Sequence, residues 1–160
     1  MKKLSYILML LCSTWAFSQD LDEQDESFIA ERNKTILSID VKEPFLQVKP
    51  GHCTNFKEVS INSGVSSYKD LLTKYMYMYL NSEYYTLSGE FTFTLTIDKE
   101  GKVSNIQGQP DVRNSSVFFE DMKYIIRRIK DTWNPAQCNG VPIDSKLKIK
   151  MNFSSLNTEA

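Results

Sequence analysis

The sequence predicts an α+β fold: a three-stranded antiparallel sheet in the order ββαβ, covered by one helix and preceded by a helical and looped extension. Three observations predict it. Gly89 to Ile97 alternates strictly, with Phe91, Phe93, Leu95 and Ile97 on one face and Thr92, Thr94 and Thr96 on the other. Lys146 to Phe153 alternates in the same way, with Leu147, Ile149, Met151 and Phe153 set against Lys146, Lys148, Lys150 and Asn152. Between them Phe118, Met122, Ile125, Ile126, Ile129 and Trp133 recur at helical spacing. Period two marks a half-buried strand and period 3.6 a helix with one apolar stripe.

The hairpin turn is written as Asp98-Lys99-Glu100-Gly101, with glycine where a tight turn needs positive φ. The second strand runs from Lys102 to about Gln107. Its apolar members Val103 and Ile106 are three apart, so a bulge is expected. Pro110 ends it. Ser116 is the expected N-cap of the next helix, Glu120 and Asp121 lie toward its positive end, and Asn134-Pro135 stops it. Asn139-Gly140 then turns the chain into the last strand. A right-handed crossover places that strand beside the first, giving the order two-one-three with the third at an edge. Its outward lysines read as protection of a free edge, and equally as a match for an acidic strand added there.

Upstream, Ile36 to Val41 suits a short strand, while Pro44 and Pro50-Gly51 punctuate loop. Ser67 and Asp70 resemble a capping box. Tyr68, Leu71, Leu72, Tyr75 and Tyr79 predict a helix over about 67–81, with its tyrosines partly core and partly rim. Asp20 to Glu26 is acidic, and residues 19–35 read as a solvated leader.

The first eighteen residues read as a signal peptide. Lys2 and Lys3 precede the apolar run Leu4 to Phe17, and Ala16-Phe17-Ser18 suits cleavage before Gln19. A retained anchor is the rival reading, but the run is short of the roughly 20 apolar residues of a spanning helix. Cys12 lacks the small residue expected just before a lipidated cysteine. Without Lys2 and Lys3 the chain keeps 17 basic and 20 acidic side chains. That balance argues against a nucleic-acid partner. Two cysteines remain, Cys53 and Cys138; in an exported chain they are either bridged or two separate thiols. The domain organisation is therefore read as 1–18 signal, 19–35 leader, 36–88 extension with one helix, and 89–155 sheet domain.

Gly89 to Val103 resembles the opening hairpin of the TonB C-terminal domain family. Trp133-Asn134-Pro135-Ala136, followed by Gly140 and Pro142, is similar to that family's W-x-P-A-x-x-x-G-x-P segment, and Lys148 to Phe153 resembles its closing strand. Pro50-Gly51-His52-Cys53 resembles a P-G-C segment of some Bacteroidetes members. The resemblance implies a periplasmic module whose partner peptide, such as the N-terminal segment of an outer-membrane transporter, adds as a strand beside the closing strand. It places partner contacts at Lys146, Lys148, Ile149, Lys150, Met151, Asn152 and Phe153, with Asn139 and Gly140 nearby. Family energy transducers keep a membrane helix and a Pro-rich spacer. The short apolar run and the missing spacer here point instead to a released peptide-binding relative. The alternatives are an anchored transducer and a structural part of an envelope assembly. Removal of the closing strand would bare its neighbour, so swapping between copies is a further expectation.

No catalytic motif stands out. His52 is the single histidine and has no second ligand at metal spacing; there is no G-x-S-x-G, H-E-x-x-H, phosphate loop or dinucleotide loop. The expectation is a binding protein without enzyme activity, metal or cofactor.

Overall fold

The computed structural model describes residues 25–34, 36–80, 84, 86–113, 115–131 and 133–155. The expected signal peptide, its cleavage point and Cys12 lie outside the described residues. Three helices and three antiparallel sheets make an α+β fold among those described.

The chain begins with helix α1 over residues 25–34. Strands β1 (Leu37–Val41), β2 (Leu46–Gln47), β3 (Phe56–Lys57) and β4 (Ser60–Ile61) follow, then helix α2 (Val65–Tyr79). The hairpin strands are β5 (Ser88–Ile97) and β6 (Val103–Gln109), followed by helix α3 (Ser116–Arg128). Short strands β7 (Trp133–Asn134), β8 (Ala136–Cys138) and β9 (Val141–Ile143) lead into the long β10 (Ser145–Ser155).

The main sheet has five strands in the order β1-β10-β5-β6, with β2 also paired to β10. The expected adjacency of β6, β5 and β10 is present. The expected three-stranded sheet with an open last strand is not, because β1 and β2 occupy the far side of β10. Leu37 and Val41 on β1, and Phe45 just before β2, are buried apolar residues that would otherwise face water. Burying them beside β10 stabilises the added strands by roughly 1.5–3 kcal/mol for each fully covered side chain. Residues 37–80 are thus built into the main core through Leu37, Val41, Phe45, Tyr68, Leu72 and Met76. Small sheets β3-β8-β9 and β4-β7 join it further to the chain's last third.

Residues 25–34 are likewise not a free leader. They form α1, and its Asn33 is fully buried. The Asn33 amide donates to the carbonyls of Tyr77 and Leu80 at 2.7 and 2.9 Å, at the C-terminal end of α2. Carbonyls at the end of a helix lack the full set of intrahelical donors, and an external donor helps to satisfy them. The Tyr79 hydroxyl donates to the Glu26 carboxylate at 2.9 Å.

The helix starts differ slightly from expectation. Gly64, at φ 85, is the N-cap of α2, and Ser67 lies inside the helix. Ser115 rather than Ser116 is the N-cap of α3, which ends at Arg128. The hairpin turn forms as expected: Gly101 has φ 80 and donates its N–H to the Asp98 carbonyl at 2.9 Å. The bulge is present as well. Thr96 pairs with Asn105 but Ile97 pairs with Val103, leaving Ser104 as the extra residue. That insertion brings Val103 and Ile106 onto the same face despite their odd spacing.

The core lies between the apolar face of the main sheet and helices α2 and α3. Phe91, Phe93, Phe118, Phe119 and Phe153 form its aromatic centre, mostly edge to face. Tyr68 of α2 meets Trp133 with ring centroids 5.1 Å apart.

Candidate interaction edge

The predicted partner strand is β10, and the structure closes it on both sides. From Ser145 to Ser154 each residue has a partner on β5. On the other side Leu37 to Val41 pair with residues 151–155, the Lys42 N–H donates to the Lys150 carbonyl at 2.8 Å, and Leu46 and Gln47 pair with Lys148 and Leu147. The Val48 N–H completes the run by donating to the Lys146 carbonyl at 3.3 Å. A visiting strand therefore finds no vacant edge there. Ile149, Met151 and Phe153 point into the core, while Lys146 and Lys148 are exposed and Lys150 and Asn152 half-buried on the opposite face. Lys150 is paired with Glu90 at 2.9 Å. The seven residues are brought together as expected, but as an interior strand.

The covering segment is held at both ends. Upstream, α1 is docked through Asn33. Downstream, Cys53 and Cys138 form a disulfide with Cα atoms 5.5 Å apart. The Gln47 side chain also clamps the chain to itself: its amide donates to the Val59 carbonyl at 2.9 Å and its oxygen accepts the Val59 N–H at 2.7 Å. Asn139 contributes too, its side-chain oxygen accepting the Asn55 N–H at 3.0 Å.

The sheet ends instead at β1 and β6. Those two edges differ in chemistry. Along β1, Asp40 and Lys42 form an ion pair. Its hydrogen bond from Lys42 holds the Asp40 carboxyl below the ordinary carboxylate range. Charged side chains are how an edge discourages further pairing. No charged residue lies between Val103 and Gln109, and β5 is the only strand partner of β6 among the described residues.

Beside β6 runs a groove of about 810 Å³, bordered by Ile106, Gly108, Ser116, Phe119, Glu120 and Lys123. Glu120 and Lys123 pair across one turn of α3 at 2.7 Å. Gly108 lets this border form: a β-carbon there would lie 2.4 Å from the Phe119 ring. The absence of a side chain at Gly108 allows α3 to settle close over β6 at the groove. Sequence reasoning assigned this strand and its bulge but placed the partner at β10, whose alternating lysines read as an open edge. A glycine inside a strand that ends at Pro110, in a segment without charge, was the available signal.

Among the described residues no three His, Cys, Asp or Glu side chains are grouped to hold a metal. Cys53 is engaged in its disulfide, leaving exposed His52 beside no free thiolate. No described helix is long and apolar enough to cross a membrane. No family model, curated protein or solved structure matches the chain.

Proposed function

We propose that the chain is an exported, periplasmic protein-interaction module that captures an extended partner segment by strand addition, and that β6 is the strand that receives it. One contrast carries this reading: β10 is paired along both sides, whereas β6 ends the sheet without charge and beside a groove. Main-chain groups of Asn105 to Gln109 would supply affinity. Alternate side chains of the visitor would enter the groove next to Phe119, or lie over Gln107 on the other face, and so supply selectivity. The resemblance to the TonB C-terminal domain suggests the N-terminal segment of an outer-membrane transporter as partner. The export reading rests on residues 1–18. Binding requires neither a metal nor a catalytic group.

The test follows amide signals of the whole mature chain by NMR during titration with such a transporter peptide. Slowed hydrogen exchange and shifts at 105–109, with 146–153 unchanged, support the proposal. Changes centred on 146–153, with release of 37–48, would place the site at β10 and reject it.

A further inference from the structure

The outward lysines of β10 lose their edge-guarding role once β1 and β2 cover that strand, so their presence needs another account. They stand on the face of the sheet opposite the helices. Strand pairing sets Lys150 beside Thr92, and Thr92 beside Gln109. Two further rows repeat the order: Lys148, Thr94, Gln107, and Lys146, Thr96, Asn105. Each row thus runs from a cation through a hydroxyl to an amide. Alternate residues on a strand are roughly 6.7 Å apart and neighbouring strands about 4.8 Å apart, so the three lysines span roughly 13 Å.

Lys146 and Lys148 have no acidic partner among the described residues, while Glu90 engages Lys150. The three rows hold no aromatic ring, and the carboxylates on this face, Asp40 and Glu90, stand in the next row beside Asn152, where Lys42 and Lys150 engage them. Stacking of nucleic-acid bases therefore has no platform here. Lysine is also depleted at protein–protein interface cores. What fits is a polymer with regularly spaced anionic groups and many hydroxyls.

We infer that this face binds an acidic polysaccharide, with Lys146 and Lys148 meeting its carboxylates and the Thr and Gln columns its hydroxyls. The charge is complementary, and the flanking columns can donate and accept hydrogen bonds. The face shares Asn105, Gln107 and Gln109 with β6, but the lysines of β10 take no part in strand addition there, so a loss confined to K146Q with K148Q tells the two proposals apart.

The test titrates the mature protein with a galacturonic acid hexamer, using a neutral glucose hexamer, a hexaglutamate peptide and anionic phospholipid vesicles for comparison. Expected are saturable binding of the uronate hexamer, shifts at the amides of 92–96 and 146–150, and weaker binding of the other three probes. Replacing both free lysines (K146Q with K148Q) should weaken uronate binding about tenfold, roughly threefold for each exposed charge contact. K74Q, which removes an exposed lysine from α2, should leave it unchanged. Equal loss in K74Q would reduce the effect to net charge and overturn the inference. Absence of uronate binding, or equal or tighter binding of hexaglutamate or vesicles, would overturn it as well. Thermal melts of each variant confirm that the fold is retained.

Discussion

Gly108→Ala tests the packing that makes the β6 border. The added β-carbon would lie 2.4 Å from both Cδ1 and Cε1 of Phe119. Carbon atoms in contact prefer about 3.5–4.0 Å, so the ring must retreat by about 1 Å or more. It has little room to do so. Its centroid lies 5.5 Å from Phe118, 5.9 Å from Phe93 and 6.3 Å from Phe91. Overpacking of this kind costs about 1–3 kcal/mol. Against it stands a gain of about 0.4–1 kcal/mol from a less flexible unfolded chain, since Gly108 has no positive φ to preserve. The net expectation is a loss of about 1–2 kcal/mol, read as a lower urea midpoint by far-UV circular dichroism. Phe119→Leu makes room for the methyl, so the double variant should lose about 0.5 kcal/mol or more less than the sum of the single ones. An unchanged or higher midpoint for Gly108→Ala, or strict additivity in the pair, would refute the close approach of α3 to β6.

Two further expectations concern stability. Replacing Cys53 and Cys138 by serine opens a link between residues 85 apart. Chain-entropy reasoning places the loss at up to roughly 4–5 kcal/mol. Urea unfolding of the serine variant against the oxidised protein measures it; equal midpoints would mean that the bridge constrains nothing. Burial raises the Tyr68 phenol above its ordinary range, with the nearby charge of Asp131 adding to the effect. The folded state thus favours the protonated ring. Its contribution is complete below about pH 10 and falls as pH rises beyond that, by up to about 1.4 kcal/mol per pH unit. Urea midpoints at pH 8, 10 and 11 should decline less steeply for Tyr68→Phe than for the parent; parallel declines would exclude Tyr68 as the cause.

Much of the fold is legible residue by residue. The alternation of Phe91 to Ile97 and of Leu147 to Phe153 identifies two strands and the side of each that is buried. Gly101 marks the turn, and the apolar stripe from Phe118 to Ile129 marks the covering helix. The site is less legible. Lys146, Lys148 and Lys150 read alike on a free edge and on an uncovered face, because both leave a side chain in water. The strand β6 and its bulge are legible, but nothing in them marks a receiving edge, and the acidic run Asp20 to Glu26 conceals a helix over residues 25–34 whose anchoring group is one buried asparagine.

Sequence by itself determined the local elements and their buried faces, since backbone geometry and side-chain polarity act over a few residues. That β10 lies inside the sheet, with β1 at the margin in its place, was decided only by tertiary structure. A strand's main-chain donors and acceptors carry no record of their partners, and the segment that covers β10 comes from about a hundred residues earlier in the chain.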